Sequence, residues 1–108
     1  MASTPQFAEY VFEKIAHAGE ISYRRMFGSF GIYMDRKFVG LICEDQLFIK
    51  PTTIGREILG TPLEVPPFDG ARNWFLIEEL EDGDFLVRLL IATWEELPFL
   101  KPKNSKLR

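Results

Sequence analysis

The chain has 108 residues, of which 46% are hydrophobic, 27% charged and 14% aromatic, with a formal net charge of −3. That length suits one domain with a real hydrophobic core, and this composition excludes wholesale disorder. A lone cysteine, Cys43, excludes an internal disulfide framework; one histidine and one cysteine are too few for a structural zinc site, and no apolar run approaches the roughly 20 residues that span a bilayer.

Residues 1–10 lack the basic and apolar segments of a secretory signal, so the expected location is the cytoplasm, with no membrane contact. Thr4-Pro5 then opens the first predicted helix, with Ser3 or Thr4 as cap and proline at the first helical position. Phe7, Val11 and Ile15 recur at i, i+4 and i+8, Ala8, Phe12 and Ala16 form the neighbouring row, and Gly19 is placed to stop the helix.

Between Arg24 and Lys50 the sequence becomes a succession of short apolar runs cut by Gly28-Ser29, Asp35-Arg36-Lys37 and Glu44-Asp45. Runs of this length, rich in Phe, Ile, Val and Tyr, predict an antiparallel meander with strands at 21–27, 30–34, 38–43 and 46–50. The third run is apolar on both parities, with Gly40 its only gap, which predicts a central strand covered on both faces.

Thr52-Thr53 caps a second, short helix that ends at Leu59 with Gly60 as its stop. Gly55 inside it costs roughly 1 kcal/mol relative to Ala, so this helix must lean on tertiary packing. Pro62, Pro66 and Pro67 exclude a central strand in the next stretch but allow an edge strand. Asp69-Gly70 signals a hairpin, and 73–78 is the returning strand. Over 82–97, Leu86, Leu89, Leu90, Thr93, Trp94 and Leu97 fit helical spacing, with Asp82 or Asp84 as cap. A turn at 81–84 followed by a strand at 85–91 is the alternative; the length of the uninterrupted segment favours the helix. Pro98 and Pro102 then stop regular structure. The expected fold is α+β, in the order α-β(4)-α-β(2)-α: an antiparallel sheet, made of a four-strand meander plus a hairpin, packed with helices. Residues 1–100 form a single domain and 101–108 a flexible basic tail.

Candidate chemistry is sparse. His17 and Cys43 lie in different elements, and a cysteine in an apolar strand behaves as a small hydrophobe rather than a nucleophile. The acidic run Glu78, Glu79, Glu81, Asp82 and Asp84 lacks the calcium-loop pattern and reads as a solvated turn and helix start. Gly28-Ser29-Phe30-Gly31 is followed by a strand, whereas a dinucleotide fingerprint needs a helix there, so these glycines serve a tight turn and close strand approach. No catalytic residue, cofactor site or metal site is expected. Arg24 and Arg25 adjoin Tyr23, Phe27 and Phe30, a mixture that binds single-stranded nucleic acid in other settings; strand alternation sends one arginine to each face, and ion pairs with nearby acids would occupy them otherwise. Four of the thirteen basic residues, Lys101, Lys103, Lys106 and Arg108, fall in the last eight, so the rest of the chain is markedly acidic. That balance argues against broad charge-driven nucleic-acid binding by the folded part.

Met26-Phe27-Gly28-Ser29-Phe30-Gly31-Ile32-Tyr33, followed by Asp35, Lys37, Leu47 and Lys50, resembles the N-terminal domain of the TfoX/Sxy family. Arg25 stands at the family's arginine position, and Trp94 is similar to the tryptophan of its last helix. Ser29 replaces a usual glycine, and Arg36 stands where glycine is common in a tight turn. The resemblance covers roughly 5–97, nearly the whole chain. It implies a small α+β domain and kinship with regulators of natural competence in bacteria, which assist a transcription activator. Those longer regulators carry a second, C-terminal domain that these 108 residues do not contain, so the expectation is a stand-alone member.

Three functions follow as expectations. The leading one is a non-enzymatic regulatory module acting through contact with a protein partner at the transcription machinery, with Arg24, Arg25, Lys50, Lys101 and Lys103 as its interaction surface. Its rival is a nucleic-acid binder using the same arginines and the basic tail. The third is an enzyme or small-ligand binder, which needs a pocket with convergent polar groups. The chain is expected to be a monomer or a homodimer.

Overall fold

The computed structural model describes residues 4–26 and 28–98, with only the backbone of Met26. Lys101, Lys103 and the rest of the basic tail lie outside the described residues, as does Phe27. Thr4 caps the first helix, α1 (Pro5–Ile15), its Oγ1 accepting the Phe7 N–H at 3.2 Å, and Pro5 occupies the first turn, where no intrahelical donor is needed. The helix stops at Ile15 with Ala16 as its cap, a turn earlier than Gly19 suggests. Gly19 serves close approach instead: a Cβ there would lie 2.7 Å from Asp35 Oδ2.

The remaining elements are β1 (Ile21–Met26), β2 (Ser29–Met34), β3 (Lys37–Cys43), β4 (Gln46–Ile49), α2 (Thr53–Leu59), β5 (Leu63–Val65), β6 (Trp74–Ile77) and α3 (Gly83–Glu96). This is the expected α+β order, with the expected helix, not a strand, over the last segment. The six strands form one antiparallel sheet in the order β1-β2-β3-β4-β6-β5, which places β3 and β4 centrally and β1 and β5 at the edges. Asp35-Arg36 and Glu44-Asp45 make the β2–β3 and β3–β4 turns of the meander with positive φ at all four residues (45°, 71°, 53° and 57°). Such turns match the right-handed twist of flanking strands, here without glycine. Lys37 consequently begins β3 rather than closing a turn. The β5–β6 connection is not the two-residue hairpin that Asp69-Gly70 signals; it runs through residues 66–73, with Gly70 at φ 87°.

All three helices bury their apolar faces on one side of the sheet. Val11 and Ile15 of α1 and Leu86, Leu89 and Leu90 of α3 pack with Ile32, Met34, Val39, Ile42, Leu47, Ile49, Phe75 and Ile77, and Ile58 and Leu59 of α2 join them. The β2–β3 register shifts between Ile32, opposite Gly40, and Tyr33, opposite Phe38, leaving Val39 as an extra residue. This bulge resets the alternation, so that Val39 and Ile42 both reach the helix-side core while Leu41 and Cys43 join a second cluster with Phe48.

Gly55 shows why a glycine sits inside α2. Its missing Cβ would lie 2.6 Å from Thr52 Oγ1, which accepts the Gly55 N–H as the helix cap, and 3.3 Å from Phe75 Cε2. The usual helix preference for alanine is therefore inverted. Gly55→Ala is expected to lower stability by about 1–3 kcal/mol through overpacking, measured by urea denaturation; a variant that gains stability would refute this packing account.

The amino end of α2 is held by the last turn of α3, where Glu96 accepts from Ile54 N at 3.0 Å and Thr53 N at 2.8 Å. These backbone bonds, Ile54's foremost, hold the Glu96 carboxyl below its ordinary value. A carboxyl lowered by folding adds stability above its unfolded value, and that stability is lost as pH falls through the lowered folded value. Glu96→Gln should leave a shallower acid limb in a thermal-melting profile against pH, with the two proteins converging at low pH.

Candidate binding face

The helix-free side of the sheet is built by one parity of each strand, except in β3, where the bulge changes the parity between Phe38 and Leu41. β1 contributes Ser22 and Arg24, which pair with Tyr33 and Gly31 of β2; β6 contributes Trp74 and Leu76, and β5 contributes Val65 and Leu63. Among the described residues, Leu41, Cys43 and Phe48 are buried on this side without any helix above them, and Phe38, Val65, Trp74 and Leu76 pack against them. The second cover expected for β3 is therefore present, but side chains of the sheet itself provide it.

Phe38 is the centre of that cover. Tyr33, its direct cross-strand partner, stacks on it with ring centroids 5.0 Å apart, and Trp74 meets it edge-on at 5.6 Å. Two cations flank the rings: Arg24 lies over Tyr33 at 5.6 Å and Lys50 over Phe38 at 5.1 Å. Gly31, between Arg24 and Leu41 in the register, adds no side chain to this face. Of the expected surface residues, the structure thus brings Arg24 and Lys50 together. Arg25 points to the other side, exposed over the buried Phe30 at 5.5 Å.

The ion pairs open to the arginines on sequence grounds do not form: among the described residues neither Arg24, Arg25 nor Lys50 meets a carboxylate. Glu64 is the one acid within the six strands, and it faces the helices, where Arg56 of α2 binds it at 3.0 Å. The helix-free face consequently carries cations and rings but no strand carboxylate. Phe38 and Trp74 carry no sequence signal for this face, whereas Tyr33 closes the Met26–Tyr33 motif and shares its parity with Ser29 and Gly31 in β2.

The other candidate chemistry is dispersed. His17 is exposed in the turn after α1, whereas Cys43 is buried, its Sγ accepting the Ser29 hydroxyl at 3.2 Å. Asp82 caps α3 by accepting Phe85 N at 3.1 Å, and Glu78, Glu79 and Glu81 are exposed around it. Among the described residues no group of three His, Cys, Asp or Glu side chains is placed to hold a metal ion, and no helix is long and apolar enough to cross a membrane.

The sequence profile of the TfoX N-terminal domain family matches residues 13–96, which include every strand of the sheet and all five side chains of the ring-and-cation face. The chain belongs to the TfoX N-terminal domain family. It is 30% identical over 109 residues to the uncharacterized 12.7 kDa protein in the trpE 5′ region of Spirochaeta aurantia, an alignment that covers all of this chain and 95% of that protein.

In this TfoX N-terminal domain, burial lowers the Lys50 ammonium from its ordinary value of 10.5, because the half-buried strand end favours the neutral amine. The cost is borne while the folded protein keeps Lys50 protonated, and it is relieved as pH rises from the lowered folded value toward 10.5. Lys50→Met is therefore expected to raise the melting temperature at neutral pH, with the gain shrinking in alkaline buffer; a lowered melting temperature at neutral pH would show that the ring contact outweighs desolvation.

Proposed function

We propose that this domain is a non-enzymatic regulatory module that works by docking a protein partner on its helix-free face, at the transcription machinery to which its family kinship points. One observation carries the reading: Arg24, Tyr33, Phe38, Trp74 and Lys50 form one continuous surface without a strand carboxylate. Half-buried aromatic rings beside arginine are the side chains that concentrate binding energy at protein interfaces. No comparable convergence of nucleophile, base and oxyanion donors supports catalysis among the described residues.

The test is affinity capture from a bacterial lysate with wild type, Arg24→Glu, Trp74→Ala and, as a control on the helix layer, Arg88→Glu, each checked for folding by circular dichroism. A partner retained by wild type and Arg88→Glu should be lost or at least tenfold depleted with Arg24→Glu and Trp74→Ala. Capture indifferent to both face variants would sink the proposal.

The alternation of rings and cations also favours a second reading, binding of single-stranded nucleic acid by base stacking. It requires oligothymidylate to quench Trp74 fluorescence at low salt and to dissociate steeply as salt rises, more so after deletion of residues 101–108. No binding at low salt would remove it.

A further inference from the structure

The two edges of the sheet are treated differently. β5 is three residues long and bracketed by Pro62 and Pro66, which cannot donate to an added strand. β1 is six residues long, pairs with β2 in unbroken register from Ile21 to Met26, and contains no proline. Ser22, Tyr23, Arg24 and Arg25 along it are all exposed, and nothing among the described residues pairs with its outer side. Half of its backbone donors and acceptors therefore point outward as a template for another strand.

Its side chains say what kind of strand fits. Arg24 projects onto the helix-free face and Arg25 onto the helix side, each over a ring and neither paired with a carboxylate among the described residues. Because neighbouring residues of a strand alternate faces, an added strand with two consecutive acids would meet a cation on both faces at once. A second copy of β1 fits poorly. In an antiparallel β1–β1 pair with both helix layers on one side, the registers of fullest overlap centre on Tyr23 or Arg24 and crowd the arginines of both copies into one strip.

We infer that β1 is a strand-addition site for an extended, proline-free acidic segment of the partner, with adjacent carboxylates over Arg24 and Arg25. This rests on the protein-docking reading and adds the partner's chemistry and conformation to it.

The probe is the synthetic peptide acetyl-TVYEEYVT-amide, titrated by fluorescence anisotropy and by amide hydrogen exchange, beside a version with alternate backbone nitrogens methylated and a version with lysines replacing both glutamates. The unmodified peptide should bind saturably and protect the outward amides of β1, methylation should abolish binding, and Arg24→Glu or Arg25→Glu should each weaken it about tenfold. Equal binding of the methylated peptide would overturn strand addition while leaving docking on the face intact. No binding, or equal binding of the lysine peptide, would overturn the acidic segment. Self-association through β1, seen as dimer in light scattering and as mutual protection of its amides, would assign the edge to a second copy and overturn the proposal. Protection of β1 by oligothymidylate but not by the peptide would assign it to nucleic acid, with the same consequence. Failure of the docking reading shows separately, as lysate capture indifferent to Trp74→Ala.

Discussion

Everything distinctive about this domain follows from a shortage of cover. Three helices can bury only one face of a six-stranded sheet, yet β3 and β4 carry apolar side chains on both. The face without helices has to hide Leu41, Cys43 and Phe48 with its own side chains, and large rings are the means that remove most area from water. Phe38, stacked with Tyr33 and edge-on to Trp74, forms such a lid. A lid made of rings has an outer side as well, and that side is the surface presented to solvent. The device that covers the second core is thus the same one on which the proposed docking rests.

The bulge at Val39 makes this double use possible. A strand of strict alternation would put Gly40 and Ile42 on the same face as Phe38, stripping one cluster to feed the other. With one extra residue, Val39 and Ile42 both serve the helix-side core and Phe38, Leu41 and Cys43 serve the ring-covered one. Gly40 fits at the shift because a Cβ there would lie 3.1 Å from the Phe48 carbonyl oxygen. Lys37, at the start of the strand, is buried on the helix side; its Nζ donates to Trp94 O and sits 3.9 Å from the Trp94 ring, which secures the end of α3 to the meander.

Much of this was legible in the sequence, and the limits are physical. Thr4-Pro5 and Asp82 announce their helices because capping is local chemistry, and the meander is legible because its turns separate short β-forming runs. The apolar character of β3 on both parities was visible; its change of phase was not, since a bulge is decided by the partner strand. For the same reason Lys37 read as a turn residue. The split of Arg24 from Arg25 follows from alternation alone. That Lys50 joins Arg24, and that Trp74 arrives beside Phe38 from beyond α2, depends on cross-strand register and on β6 pairing with β4, which no local pattern encodes. Net charge was a poor guide too: an overall −3 conceals a face onto which the strands direct no acid.

Charge placement on this face goes beyond what covering the second core requires. If the ring lid existed only to cover Leu41, Cys43 and Phe48, an uncharged side chain at position 50 would do so without the desolvation that lowers the Lys50 ammonium. β1 lacks the proline guard that Pro62 and Pro66 give β5 and carries two exposed arginines, Arg24 and Arg25, in its place. That edge, which nothing among the described residues pairs, and the half-buried Lys50 border one surface, and Arg24 belongs to both, reaching over Tyr33 from β1. An anionic segment laid along β1 would neutralise Arg24 and Arg25 and complete the row of backbone hydrogen bonds in a single event.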